Sequence, residues 1–454
     1  MRLWLTAFLL SLLILAGWSA KPSGFRQFGV FNADPPTPYF HYVPQGQRRG
    51  QVLVVHGLDA NKEMMNLLCM GLSDAGFEVY SIDLPGHGDS KVGFNAVVAR
   101  QAVNGVLDTL GPDTIVIGHS LGGALLLDLA SARSYGTMVL LSPAPTPVDK
   151  IRAERMLVLT GEFELPRIRL WVPQLEIWGS EGVTQRSVAW SGHAGYLLQP
   201  GFIRDVVAWL GGDPSQVHSK RRLFLYVLEI LSAISIAALW LRGKPIPADQ
   251  TALPARILSY IAACTAALWI CGGVDLLNGL HLFSTDYLVS FTLVMGVALL
   301  PFYARRGRLG FSRIHVSLFA AVSVIAAAVF IGSEFVHLTL SVGQWWRFAA
   351  IALAVLPLCI ADEVLLRPLR PWWKAAAIST LTRILIWAYV VWGVTTMNRG
   401  DAFLVLITHF VVILWIMLWF VGELVRRRTQ DPMATAVFTA LVQAWVFAAI
   451  FVRT

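Results

Sequence analysis

Cysteine is scarce in this 454-residue chain, with four in all, and only Cys69 lies in the first half, so no disulfide can form within that half. Cys264, Cys271 and Cys359 sit in apolar surroundings further on, where small apolar packing accounts for them. Charge is scarce too. Asp, Glu, Lys and Arg make up 14% of the residues against 56% hydrophobic, which excludes an ordinary soluble composition and, at this length, points to two or more domains. The first half has no metal-ligand spacing, and the chain has no phosphate-binding glycine loop and no internal repeat, so no metal or cofactor is expected. The net charge of +8 calls for no nucleic-acid partner, because the basic residues concentrate in loops between apolar runs, where they would face anionic lipid headgroups.

What the chain does have is Gly118-His119-Ser120-Leu121-Gly122. This fits the G-x-S-x-G nucleophile elbow, and it lies between the apolar run Thr114-Ile115-Val116-Ile117 and the stretch Leu121 to Ser131, whose Leu and Ala recur at helical spacing. Glycines are needed there because the turn is strained and the backbone approaches closely, which lifts the serine hydroxyl to the top of a sheet.

Upstream, Gln51 to Val55 is a β-branched run ending in His56-Gly57-Leu58, and Val79 to Asp83 is a second strand ending in Leu84-Pro85-Gly86-His87-Gly88-Asp89-Ser90. Downstream come Met138-Val139-Leu140-Leu141-Ser142-Pro143, then Leu157 to Glu164, then Ser191-Gly192-His193-Ala194-Gly195-Tyr196. With these motifs in this order the chain resembles the α/β-hydrolase family over about Gly50 to Gly212. The resemblance implies a mostly parallel sheet flanked by helices. It also makes Leu157 to Glu164 the seventh strand with its acid, and Ser191 to Tyr196 the histidine loop. Only Ser142 to Arg155 separate the sixth and seventh strands, so no large cap domain is expected. Leu165 to Gln185, with Trp171, Val172, Pro173, Leu175, Ile177 and Trp178, is the stretch that could cover the site or pack on the sheet.

A serine hydroxyl is a poor nucleophile at neutral pH and needs a base, which in turn needs a group to hold its tautomer. His193 is the expected base, since His56, His87 and His119 are embedded in turn motifs while His193 precedes the last helix, Phe202 to Leu210. Glu164 is the expected acid, with Glu162 and Asp149 as alternatives. The backbone amides of Leu121, at a helix N-terminus, and Leu58, after the His-Gly turn, are the expected oxyanion donors.

From Leu223 onward the chain repeats apolar runs of about bilayer length: Leu223 to Leu241, Ile257 to Leu277, Tyr287 to Tyr303, Val316 to Ile331, Phe348 to Ile360, Ala375 to Met397, Ala402 to Val421 and Met433 to Val452. An all-α transmembrane bundle of about eight helices over 223–454 follows, or seven if the short run with Pro357 is re-entrant. Residues 1–20, around the apolar Leu3 to Gly17, read as a signal peptide or signal anchor, 25–212 as the hydrolase domain and 213–222 as a linker. Arg and Lys alternate between loops. Arg242, Lys244 and Arg256, then Arg305, Arg306, Arg308 and Arg313, then Arg367, Arg370 and Lys374, then Arg426, Arg427 and Arg428 mark one side, while the intervening loops hold none, Arg347 alone or Arg399 alone. By the positive-inside rule this puts the hydrolase domain on the extracytoplasmic side of the cell membrane, against the single contrary cluster Lys220-Arg221-Arg222.

Asp362-Glu363-Val364-Leu365-Leu366-Arg367 resembles the E-E-x-x-x-R motif of the CAAX-processing intramembrane proteases, but only His409 follows it, and Glu334 and His337 precede it. Pairing of acid and arginine at a helix end explains the same residues. The expected function is a membrane-integrated serine hydrolase cleaving a lipid or small acyl ester. An acyltransferase with the same residues is the enzymatic alternative, and a transporter or sensor with a ligand-binding hydrolase-like module is the non-enzymatic one.

Overall fold

The computed structural model describes residues 2–20, 24–178, 182–241, 243–247, 253–274, 276–304, 313–332, 334–397 and 404–454. They form two compact units. The first comprises Leu10–Ser232, Ile331–His337 and Val452–Thr454; the second comprises Met1–Leu9, Ala233–Phe330 and Leu338–Phe451.

After the apolar helix α1 (Arg2–Ala20) come β1 (Phe25–Phe31), β2 (Thr37–Val43), β3 (Gly50–Val55), α2 (Asn66–Asp74), β4 (Phe77–Ile82), α3 (Ala96–Leu110), β5 (Ile115–His119), α4 (Leu121–Leu129), β6 (Tyr135–Leu141) and β7 (Ala153–Gly161). Then follow α5 (Pro166–Trp171), α6 (Leu175–Trp178), β8 (Val183–Val188) and α7 (Pro200–Trp209). The eight strands make one sheet in the order β1-β2-β4-β3-β5-β6-β7-β8. Strands β3 to β8 are mutually parallel, and β1 and β2 add an antiparallel ribbon on the β4 edge.

The runs of Val, Ile and Leu are continuous because both faces of a parallel sheet are covered. Alternate residues go to opposite sides. Val52, Val54, Ile117, Val139 and Leu157 pack with α2 and α7, whereas Leu53, Val55, Val116, Leu140 and Val158 pack with α3 and α4. Asn95 caps α3 by accepting from the Val97 and Val98 amides. The stretch after β7 packs on the sheet: Ile168, Val172 and Leu175 are buried in the second of these cores, while Leu170 and Ile177 remain exposed. The side chain of Trp178 lies outside the described residues. The ribbon of β1 and β2 has no counterpart among the strands expected from sequence, because its residues carry no motif and alternate only weakly.

The other unit is all-helical. Helices α8 (Ser219–Trp240), α9 (Leu253–Cys271), α10 (Thr285–Tyr303), α11 (Ile314–Gly332), α12 (Trp345–Leu365), α13 (Trp372–Thr396), α14 (Leu404–Thr429) and α15 (Pro432–Ile450) follow in order, α8 up to Ser232 and α11 from Ile331 counting with the sheet unit. Among the described residues seven helices are long and apolar enough to cross a membrane, α14 not being among them. Helix α12 runs unbroken for 21 residues through Pro357, about 30 Å at 1.5 Å per residue, which is bilayer length and not a re-entrant stub. Gly296 lets α10 and α12 approach closely, since a Cβ there would strike the Leu358 amide nitrogen.

Candidate active site

The parallel sheet ends all its strands at one edge, and the turns after β3, β5, β6, β7 and β8 bring the polar residues of interest together there. Ser120 sits between β5 and α4 at φ 49° and ψ −112°, a conformation that side chains other than glycine adopt only under constraint. The constraint is close packing. A Cβ on Gly118 would lie 2.6 Å from the Gly123 nitrogen, one on Gly122 would strike the Val55 carbonyl, and one on Gly57 would come within 2.9 Å of Ser120 Cβ.

The structure brings three of the sequence-expected residues into one hydrogen-bonded chain. His193 Nε2 lies 2.9 Å from Ser120 Oγ, and His193 Nδ1 lies 2.9 Å from Glu164 Oε1. Glu164 also accepts the Leu165 amide at 2.9 Å and the Ser142 hydroxyl. Ser120 is buried but for 8% of its surface, and the Glu164 side chain is fully buried. Burial works against the Glu164 carboxylate, yet the His193 imidazole, with the Ser142 hydroxyl and the Leu165 amide, outweighs it and holds the group below the usual carboxylate range. Of the alternatives, Glu162 accepts the Trp190 amide at 2.8 Å and Asp149 is exposed.

The other histidines serve the backbone. His56 Nε2 accepts the Leu84 amide at 3.1 Å, so its Nδ1 carries the proton and donates to the Gly57 carbonyl at 2.7 Å. Burial pushes this imidazole down to about 3, which keeps it neutral. His87 bridges to the Pro85 carbonyl at 2.7 Å. His119 Nε2 donates to the His193 carbonyl at 3.1 Å and so ties the elbow to the histidine loop. Leu121 heads α4, and Leu58 occupies the second position of a turn closed by the Ala60 amide on the Gly57 carbonyl at 3.3 Å. Both are half-buried beside Ser120 in sequence or across Gly57. Sequence reasoning did not give Ser142 a role. The available signal was a small hydroxyl residue directly at the end of the β-strand next to the one bearing the acid.

The second charged motif is differently arranged. Glu363 accepts Arg367 Nε at 2.6 Å four residues along, Arg367 also reaches Glu423 at 3.2 Å, and Asp362 takes Arg383 and the Tyr260 hydroxyl, the latter at 2.7 Å. Glu334 pairs instead with Arg26 at 2.7 Å, and His337 lies 3.3 Å from Glu63, both within the unit of the sheet. The side chain of His409 lies outside the described residues, as do Arg242, Arg305, Arg306, Arg308 and Arg399.

Residues 52–285 match the model of the alpha/beta hydrolase family. The chain belongs to that family. Membership supports hydrolase activity. Solved structures similar to the chain include a monoacylglycerol lipase of Paleococcus ferrophilus, at 19% identity over 41% of this chain and 99% of that one with a TM-score of 0.35. A lidless α/β serine hydrolase of Xanthomonas campestris matches at 14% identity over 42% and 96% with a TM-score of 0.37. A carboxylesterase of Bacillus subtilis matches at 13% over 45% and 98% with a TM-score of 0.35. No curated protein matches the chain.

The geometry ranks the three acids. Glu164→Gln should lower turnover of an ester by about 10³-fold or more with the fold retained, because the amide cannot hold the His193 tautomer, while Glu162→Gln and Asp149→Asn should stay within about threefold. Steady-state rates with a chromogenic ester and thermal melting curves check this. A crippled Glu162 or Asp149 variant beside an active Glu164→Gln would transfer the role.

Proposed function

We propose that this protein is a membrane-integrated serine hydrolase that cleaves a carboxylic ester of a lipid or acylated compound through an acyl-serine intermediate. The observation that carries this reading is the unbroken chain from Ser120 Oγ through His193 to the buried Glu164 carboxylate. In it, His193 Nε2 takes the Ser120 proton as Oγ adds to the ester carbonyl carbon. The carbonyl oxygen becomes an anion facing the Leu58 and Leu121 amides, each worth on the order of 3 kcal/mol of barrier. Collapse breaks the bond to the alcohol, which leaves with the proton from His193. Water, deprotonated by His193, then adds to the acyl-serine, and the carboxylic acid departs as Ser120 regains its proton. Glu164 stays ionised throughout and steadies the imidazolium.

A place for the hydrolase unit on the extracytoplasmic side is supported by the alternation of basic loops, and chain continuity bears on the number of crossings. Residues 331–337 and 452–454 belong to the unit of the sheet. The chain must therefore cross the membrane an even number of times between 232 and 331 and again between 337 and 452. Helices α8 to α11 and α12 to α15 meet that requirement only if α14 crosses as well, which gives eight crossings and agrees with the alternation of basic loops. Within the contrary cluster Arg222 is committed to Asp74, with a second guanidinium hydrogen bond of 2.8 Å, and so serves the sheet unit, while Lys220 and Arg221 are exposed.

Two outcomes check the proposal. In membranes, a fluorophosphonate probe should label the wild type, not label Ser120→Ala, and label His193→Ala slower by about 10³-fold or more; labelling that survives Ser120→Ala would end the serine-hydrolase reading. In sealed right-side-out vesicles an impermeant protease should digest residues 50–212 and spare a tag inserted after Arg428, whereas the reverse pattern would place the ester substrate in the cytoplasm.

A further inference from the structure

The Leu58 amide belongs to the Gly57–Leu58 peptide, and a trans peptide points its N–H opposite to its own carbonyl. Whatever fixes the Gly57 carbonyl therefore aims the Leu58 N–H. That carbonyl is held twice, by His56 Nδ1 at 2.7 Å and by the Ala60 amide at 3.3 Å, the latter closing a four-residue turn. The third residue of the turn is Asp59, whose φ is 51°. A non-glycine residue persists there only when its surroundings hold it, although Asp tolerates the region better than most.

What holds it comes from beyond the last helix. Asp59 is 7% exposed, and its Oδ1 accepts the Val452 amide at 2.9 Å. Burial pushes the carboxyl up to about 7, and Oδ2 has no hydrogen-bond partner among the described residues, so a neutral acid can occupy this place without setting a full charge beside the Leu58 donor. The next residue, Arg453, gathers the neighbouring loop. Its amide donates to the Gly86 carbonyl at 3.1 Å, and its guanidinium donates to the carbonyls of Gly88 at 3.1 Å and Ser90 at 2.6 Å. The same loop supplies the Leu84 amide that orients His56. Val452 and Arg453 thus hold both ends of a circuit that closes on the Gly57–Leu58 peptide: one through Asp59, the other through the loop and His56. All of these residues lie in the unit of the sheet.

We propose that Asp59 is a positioning residue for the oxyanion hole, and that Val452 and Arg453, which follow α15, aim the Leu58 donor through it and through the Gly86–Ser90 loop. The inference rests on the serine-hydrolase reading and extends it, because it makes residues beyond the membrane helices part of the support for catalysis.

The test uses the full chain in detergent micelles with a water-soluble p-nitrophenyl ester, and an alkyl boronic acid whose tetrahedral adduct on Ser120 presents an oxyanion. Asp59→Ala should lower kcat by about 10- to 100-fold, leave KM within about twofold, and weaken boronate inhibition by the same factor as kcat, because only the anionic adduct uses the donor fully. Asp59→Asn should restore both to within about threefold, since its side-chain carbonyl can accept the Val452 amide and Asn tolerates the left-handed region. Arg453→Gln should lower kcat and boronate affinity together by several-fold. Melting curves and size exclusion establish that each variant is folded; if Asp59→Ala does not fold, Asp59→Asn and Arg453→Gln decide. Unchanged kcat in folded Asp59→Ala or in Arg453→Gln, a change confined to KM, or an Asn variant as impaired as the Ala variant would each overturn the proposal. A wild type that neither turns over esters nor binds the boronate would instead overturn the serine-hydrolase reading, and this inference with it.

Discussion

One strained residue organises this protein. Ser120 can hold φ 49° only because β5, α4 and the turn after β3 close around it without room for a Cβ at Gly118, Gly122 or Gly57. Strain of this kind costs on the order of 1–3 kcal/mol and persists where packing over-determines it. Here the packing is a six-stranded parallel core with both faces covered, in which Val52 to Val55, Val116, Ile117 and Met138 to Leu141 are fully buried. The same closeness that forces the backbone sets Ser120 Oγ within hydrogen-bond reach of His193, so site geometry and sheet packing are one requirement.

Several buried charges are held by pairing. Lys62 is wholly buried, and its ammonium donates to Glu63 at 2.9 Å and to Asp83 and Asp89 at 2.7 Å each. Three carboxylates around one ammonium leave an excess of negative charge, and His337, 3.3 Å from Glu63 and 3.7 Å from Asp89, faces that excess. Burial opposes protonation of His337, but Glu63 outweighs it and raises the imidazole above its usual range. Such a network contributes little net stability, because desolvation offsets most of the attraction, but removing one partner leaves an uncompensated charge. Its effect is to fix the loop from Lys62 to Glu63 against the loop from Asp83 to Asp89. Within the helical bundle Asp362 with Arg383 and Glu363 with Arg367 follow the same logic, where low polarity makes an unpaired charge costlier still.

The sequence was most legible where one residue type is required. The elbow glycines, the β-branched runs and the order of serine, acid and histidine turns each have few physical substitutes, and the parallel sheet and the Ser120, His193 and Glu164 positions could be named from them. Apolar runs marked the helices equally plainly, though α8 begins at Ser219, upstream of the first apolar residue, because Arg222 finds Asp74 as a partner. Less legible was whatever depends on contacts distant in sequence. The β1 and β2 ribbon depends on pairing with β4, the Ser142 hydroxyl matters only once β6 and β7 are adjacent, and Glu334, His337 and Arg453 look like loop charges until their partners more than 200 residues away are known. The choice of Glu164 over Glu162 rested on spacing after the seventh strand, and the partners separate the two: Glu164 meets His193, whereas Glu162 accepts the Trp190 amide.

The central claim is that the acyl group passes through Ser120. Mixing the full chain with an excess of a p-nitrophenyl acyl ester, quenching in acid within the first turnover and weighing the digested peptides would test it most directly. The account predicts a burst of p-nitrophenol close to one equivalent and a mass increase equal to the acyl group on the peptide bearing Ser120. A burst with that peptide unmodified and the acyl group on another residue would contradict it.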